Sequence, residues 1–123
     1  MSKRILLIDD EDDIREIAAT SLELVAGWEV ILAGSGQEGV VKAQQEKPEA
    51  ILLDVMMPEQ DGASTLALLR AQKSTAAIPV IFLTAKVQPT EQRRLQSLGV
   101  RGIVHKPFDP VHLAEKIKEI LGW

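Results

Sequence analysis

Five acids follow the first apolar run of this chain: Ile5-Leu6-Leu7-Ile8 leads directly into Asp9, Asp10, Glu11, Asp12 and Asp13. A sixth, Asp54, ends the run Ala50-Ile51-Leu52-Leu53, and Thr84 and Lys106 follow two later apolar runs. Like charges this close repel, and burying an unpaired carboxylate costs several kcal/mol or forces its protonation. Something positive belongs there. Asp9, Asp10 and Asp54 together would make a hard-oxygen site suited to Mg²⁺, which takes a few carboxylates and keeps several waters. Held on a rigid strand, Asp54 can act as a nucleophile toward phosphorus, and beside a divalent cation it stays ionised. A phosphoryl group brings charge and acceptor oxygens, which the Lys106 ammonium and the Thr84 hydroxyl would meet. Phosphoryl transfer needs little beyond such positioning and charge neutralisation.

Those residues meet only if the chain brings distant segments to one edge. Short runs rich in Ile, Leu and Val recur at 5 to 8, 30 to 33, 50 to 53, 80 to 83 and 100 to 104, each bounded by turn signals, and predict five strands. Helical patterns lie between them. Ile14, Ile17, Ala18, Ser21, Leu22 and Val25 share one helix face ending at Gly27, and Ser35-Gly36-Gln37-Glu38 opens a second helix that Pro48 closes. A third is expected over about 62 to 72 and a fourth from near Pro89 to Gly99. The last is expected to take Asp109 as cap and Pro110 in its first turn, and to bury Leu113, Ile117, Ile120 and Leu121. Strict alternation of apolar strands and helices predicts an α/β, doubly wound fold with a parallel sheet covered on both faces. Ligands of such sheets bind beyond the carboxyl ends of the strands. Asp9, Asp10, Asp54, Thr84 and Lys106 all fall there.

Composition narrows the rest. The 123 residues fit one domain, expected over 1–123, with 46% hydrophobic and 26% charged residues. A net charge of −4 and a pI near 5.2 argue against direct nucleic-acid binding. No apolar run is long enough for a membrane span or signal peptide, and the absence of cysteine excludes thiolate chemistry. A cytoplasmic location is expected.

The segments "LLIDDED", "AILLDVMMPEQDG", "PVIFLTA" and "HKPF" stand in an order and spacing that resembles the receiver domain of two-component response regulators, the CheY-like family. The resemblance spans essentially the whole chain. It implies a flavodoxin-like (βα)5 fold of strand order 2-1-3-4-5. It also implies that Asp54 accepts a phosphoryl group from a histidine kinase or phosphotransfer protein. Asp10 and Asp54 would ligate Mg²⁺ directly, Met56 through its backbone carbonyl and Asp9 through water. Lys106 would hold the phosphoryl group, Thr84 would turn toward it beside the small Ala85, and Lys106-Pro107 would be a cis peptide. Output to a downstream protein target or effector domain would use the face of the fourth predicted helix, fifth strand and fifth predicted helix, where Arg93, Arg94, Arg101 and Lys116 are candidate contacts. One position departs: Ile103 stands where receivers commonly carry the Tyr or Phe of their switch. Lys86 and Met56 occupy positions that tune phosphoryl lifetime in the family.

Simpler readings exist for some of these residues. Asp12, Asp13 and Glu11 in or beside a first helical turn need only the helix dipole. His105 should face away from the Lys106 side chain, and no chemistry is assigned to His112. "GSGQEG", Gly34 to Gly39, imitates a dinucleotide fingerprint with Asp54 twenty residues on. That reading leaves Asp9, Asp10 and Lys106 unused. Two other classes remain: a receiver-like interaction module that is not phosphorylated, and an Asp-nucleophile phosphatase, which lacks its second Asp because Met56 occupies that place.

Overall fold

The computed structural model describes residues 3–57, 61–85 and 88–123. Strands β1 (Arg4–Ile8), β2 (Glu29–Ala33), β3 (Ala50–Asp54), β4 (Val80–Thr84) and β5 (Gly102–His105) form one sheet of order β2-β1-β3-β4-β5, with every pairing parallel. Helices α1 (Asp12–Ala26), α2 (Gly36–Glu46), α3 (Gly62–Arg70), α4 (Lys73–Ala76), α5 (Pro89–Gln96) and α6 (Leu113–Leu121) connect and follow them.

The central strands are apolar except at their end residues Arg4, Asp54 and Thr84, because both faces are covered. Ile5, Leu7, Leu52, Ile81, Leu83 and Val104 pack with α1 and α6 through Ala18, Leu22, Leu113, Ile117 and Leu121. The alternate residues Leu6, Ile8, Ile51, Leu53 and Phe82 pack with α2, α3 and α5 through Val40, Ala43, Leu66, Leu69 and Leu95. Each buried Leu or Ile contributes about 1.5–3 kcal/mol relative to exposure. These two layers hold the strand ends rigidly. The contact between β1 and α2 is especially close: a Cβ on Gly39 would lie 2.3 Å from Ile8 Cδ1.

Caps set the helix ends. Gly27, at φ 69°, stops α1, its N–H reaching the Leu22 and Glu23 carbonyls. Ser35 accepts from Glu38 N at the start of α2, and Asp61 accepts from Ser64 N at the start of α3. The structure corrects three sequence expectations. The third predicted helix is two: α3 ends at Arg70, and the Thr75 hydroxyl, donating to the Leu69 carbonyl at 2.5 Å, folds Lys73–Ala76 into a separate turn of helix. Consequently the fourth and fifth predicted helices are α5 and α6. The last helix starts at Leu113, because Asp109 closes a turn instead of capping a helix: its carboxylate accepts from Val111 N and meets His112 Nδ1 at 2.7 Å. Finally, Ile17 and Val25 of α1 are exposed and Ala19 is buried in their place.

Candidate functional site

The carboxyl ends of β1, β3, β4 and β5 deliver the expected residues to one edge. Asp9 directly follows β1, and its backbone N–H continues the ladder to the Ala33 carbonyl at 3.0 Å. Asp54 is the last residue of β3, two residues before Met56, whose N–H donates to Asp54 Oδ1 at 3.2 Å. Both carboxylates are enclosed: Asp9 is 0% and Asp54 2% exposed. Asp10 is more open. Oxygens of Asp9, Asp10, Glu11 and Asp54 all lie within 4.8 Å of one another.

Lys106 supplies the positive charge that this crowding demands. Its Nζ lies 2.7 Å from Asp9 Oδ2, 3.3 Å from Glu11 Oε1 and 3.5 Å from Asp54 Oδ1. β5 aims it there: Lys106 N donates to the Thr84 carbonyl at 2.8 Å, and the next peptide, Lys106–Pro107, is cis. Burial works against charge on this lysine, but the Asp9 and Asp54 carboxylates outweigh it and hold its pKa above the ordinary value.

One ammonium does not satisfy the site. Burial first, and then the charge of Asp9, raise the Asp54 pKa to about 7 against the pull of Lys106 and of the Met56 N–H. Asp54 Oδ2 and Asp9 Oδ2 are both buried without a hydrogen-bond partner, Asp9 Oδ2 meeting Lys106 only as an ion pair. An orphaned oxygen among three other carboxylates fits a hard divalent cation: the donors are all oxygens, and the missing interaction is a positive one. Asp9, Asp10 and Asp54 are the residues that could hold it.

Thr84 is buried at the end of β4, one register position beyond Leu83, the partner of Asp54. Ala85 and Pro107 are exposed beside it and beside Lys106, respectively. Met56 is 55% exposed. Ile103 is partly buried and packs into the α2, α3 and α5 layer. Lys86 lies outside the described residues. His105 is exposed, and His112 pairs with Asp109 away from the acids. A groove of about 640 Å³ opens from Asp10 and Glu11 past Met56 and Met57 toward Glu91 and Arg94 on α5.

Two participants were missed by sequence reasoning. Glu11, read as a helix-dipole acid, reaches Lys106 across the site. No sequence signal separates the two roles, since an acid at an N-cap suits both. Arg15 was not singled out, yet its guanidinium donates to the Asp9 carbonyl at 2.6 Å and pairs with Asp12. The Gly34–Gly39 segment is a cap and a packing contact: Gly34 N donates to Glu38 Oε1, Ser35 caps α2, and Gly39 admits Ile8.

A doubly wound parallel sheet with acids and a lysine at its carboxyl edge defines a class of α/β protein. Comparisons with known proteins make the family explicit: residues 5–118 match the response regulator receiver domain. The chain is 39% identical over 121 residues to the alkaline phosphatase synthesis transcriptional regulatory protein PhoP of Bacillus subtilis, covering 98% of this chain and 49% of that protein. It is 37% identical to the phosphate regulon transcriptional regulatory protein PhoB of Pseudomonas aeruginosa, covering 98% and 52%. The chain thus spans about half the length of these relatives. Among solved structures, chemotaxis protein CheY4 of Vibrio cholerae superposes with a TM-score of 0.89 at 29% identity, covering 98% of this chain and 99% of that one. The receiver domain of sensor histidine kinase PA1611 from Pseudomonas aeruginosa, solved with magnesium in its active-site cleft, gives 0.86 at 27% identity over the whole of both chains. The chain belongs to the response regulator receiver family of two-component signalling. Among the described residues, no helix is long and apolar enough to cross a membrane.

Proposed function

We propose that Asp54 is the phosphoacceptor of this receiver, that Mg²⁺ is its cofactor, and that phosphorylation switches its affinity for a protein partner. The observation that carries this reading is the Asp54 carboxylate itself: buried, on a rigid strand end, pushed toward protonation, with one oxygen lacking a partner. Asp10 and Asp54 would hold the metal, with Met56 contributing its carbonyl and Asp9 acting through water. Bound there, Mg²⁺ would neutralise charge on the carboxylates and on the transferring phosphoryl oxygens.

The donor is the phosphohistidine of a histidine kinase or phosphotransfer protein, at work in the cytoplasm. An Asp54 oxygen forms the bond to phosphorus while the bond from phosphorus to the imidazole nitrogen breaks and its electron pair returns to the ring. The Lys106 ammonium, now shared among Asp9, Glu11 and Asp54, turns to the phosphoryl oxygens. Thr84 donates its hydroxyl to another, with Ala85 leaving room. Water attack on the same phosphorus later breaks its bond to the Asp54 oxygen and releases inorganic phosphate, restoring the Asp54 carboxylate, so the domain promotes its own phosphorylation and dephosphorylation and is a switch, not an enzyme acting on an external substrate. Output goes to a protein target or effector domain through α5, β5 and α6, where Arg93, Arg94, Arg101 and Lys116 are contacts. Direct nucleic-acid or membrane binding forms no part of the domain's role. Ile103 removes the aromatic member of the switch, so coupling runs through Thr84 and α5.

Intact mass after incubation with acetyl phosphate, with and without Mg²⁺, tests this on wild type and Asp54→Asn. A Mg²⁺-dependent phosphoryl adduct in wild type alone is expected. Labelling that persists in Asp54→Asn would reassign the acceptor, and no labelling of wild type would favour the unphosphorylated interaction module.

A further inference from the structure

We propose that Arg15 is a positioning residue of the acidic site, seated against Gly34 at the turn before α2, and that its hold on the Asp9 carbonyl sets the affinity of the site for Mg²⁺. The inference rests on the reading that the metal binds at Asp9, Asp10 and Asp54. The peptide that carries the Asp9 carbonyl also carries the Asp10 N–H, and it is planar, so fixing the carbonyl fixes the direction in which the chain enters Asp10. Arg15 Nη1 donates to that carbonyl at 2.6 Å, while Nη2 pairs with Asp12. From the other side, Glu11 N donates to Asp9 Oδ1 at 2.9 Å. The turn from Asp9 to Glu11 is therefore pinned at both its carbonyl and its carboxylate, and the exposed Asp10 is oriented by what its neighbours hold.

The contact with Arg15 gives Gly34 a packing role beside the acids. A Cβ on Gly34 would lie 3.2 Å from Arg15 Nη1, so only glycine leaves the guanidinium its place without displacement. Gly34 N is bonded to Glu38 Oε1 at 2.6 Å, and Glu38 is in turn paired with Lys42 at 3.2 Å. Lys42 also donates to the Leu32 carbonyl at 2.5 Å, which ties this chain of contacts to β2. The side chain of Arg15 is 20% exposed, enclosed enough for its fork to have a defined direction.

Two effects of Arg15 on a bound cation oppose each other. Its charge repels Mg²⁺, but Asp12 neutralises much of that locally, whereas orientation of Asp10 acts on a ligand directly. Orientation therefore wins. Lysine retains the charge but cannot reproduce the planar fork that serves the Asp9 carbonyl and Asp12 together.

The test is Mg²⁺ titration of wild type, Arg15→Lys, Arg15→Met and Gly34→Ala, followed by amide chemical shifts in two-dimensional NMR, which also report folding. Both Arg15 variants should bind about tenfold more weakly, the low end for partners that orient metal ligands. Gly34→Ala, which displaces the guanidinium without removing it, should weaken binding by a smaller factor and keeps the claim testable if the Arg15 variants do not fold. Tighter binding by Arg15→Met with Arg15→Lys unchanged would show that only charge matters, and would overturn the proposal. Unchanged affinity with lowered melting temperature would reduce Arg15 to a structural residue. Absence of saturable binding in wild type would remove the metal site itself, an outcome distinct from equal binding by all four proteins.

Discussion

Asp54→Asn should stabilise the Mg²⁺-free protein, and the gain should depend on pH in a defined way. Ionised Asp54 sits among Asp9, Asp10 and Glu11 with Lys106 as its nearest cation among the described residues, and its pKa is raised from 3.8 to about 7. A shift of roughly three units corresponds to about 4 kcal/mol at 1.36 kcal/mol per unit. The open side at Asp10 and Glu11 lets water screen part of this, so we take about half, ~2 kcal/mol, as the destabilisation at neutral pH and above. The sign follows from proton binding. Between the unfolded and folded pKa values, the folded state holds a proton that the unfolded state has released, so stability falls as pH rises from about 4 to about 7. Asparagine never ionises and escapes that loss. In thermal melts with chelator, the Asn variant should melt roughly 5–8 °C higher at pH 8, and the gap should close as pH falls toward 4. Equal melting at pH 8, or a gap that does not narrow in acid, would refute the claim that Asp54 is held against its charge.

Lys106→Met removes the cation between Asp9, Glu11 and Asp54, and should cost about 2–3 kcal/mol at pH 7.5, somewhat below a fully buried pair, with urea denaturation as the check. The cost should shrink as pH falls below about 7, where Asp54 takes up its proton. Gly39→Ala gains helix propensity of about 1 kcal/mol but drives a methyl to 2.3 Å from Ile8 Cδ1 in a core without slack, so a net loss of about 1–2 kcal/mol should appear in the same measurement. Arg70→Ala removes donors to the Leu98 and Gly99 carbonyls, the latter at 2.8 Å; hydrogen exchange of amides 96 to 101 should accelerate while global stability drops by only about 1–2 kcal/mol.

Residues whose place in the fold follows from position along the chain were legible in the sequence. Asp9, Asp54, Thr84 and Lys106 each end or directly follow a strand, and a parallel sheet sends all such ends to one edge. What escaped depends on long side chains finding carbonyls far away in sequence. Arg70 reaches Gly99, Arg4 reaches Glu46, and Lys42 reaches Leu32, none with a periodic signature. Local competition for the backbone accounts for other differences. Asp109 spends its carboxylate on Val111 and His112, delaying α6, and the Thr75 hydroxyl caps a carbonyl of α3 to start α4. Aromatic packing at the opposite end of the sheet was equally hidden: Trp123 meets Trp28 edge to face at 5.5 Å, with Lys3 Nζ 4.7 Å from the Trp123 ring.

The crowd of acids after β1 is tolerable because most of it is answered nearby. Asp12 and Asp13 occupy the first turn of α1, where the helix dipole favours them, and Asp12 also has Arg15. Asp9 has Lys106 on one oxygen and the Glu11 N–H on the other. Asp9 Oδ2 has that ion pair but no hydrogen bond, and the larger remainder falls on Asp54, with its raised pKa and partnerless Oδ2. A fold that satisfied Asp54 fully would leave an arriving cation little to relieve, because binding can stabilise only by interactions that the free protein lacks. Under the proposed function, the stability that asparagine restores by mutation and the stability that Mg²⁺ restores by binding come from the same repulsion. Added Mg²⁺ should therefore raise the melting temperature of wild type toward that of Asp54→Asn while leaving the variant nearly unmoved. Equal stabilisation of both proteins would locate the cation elsewhere and separate the strain at Asp54 from metal binding.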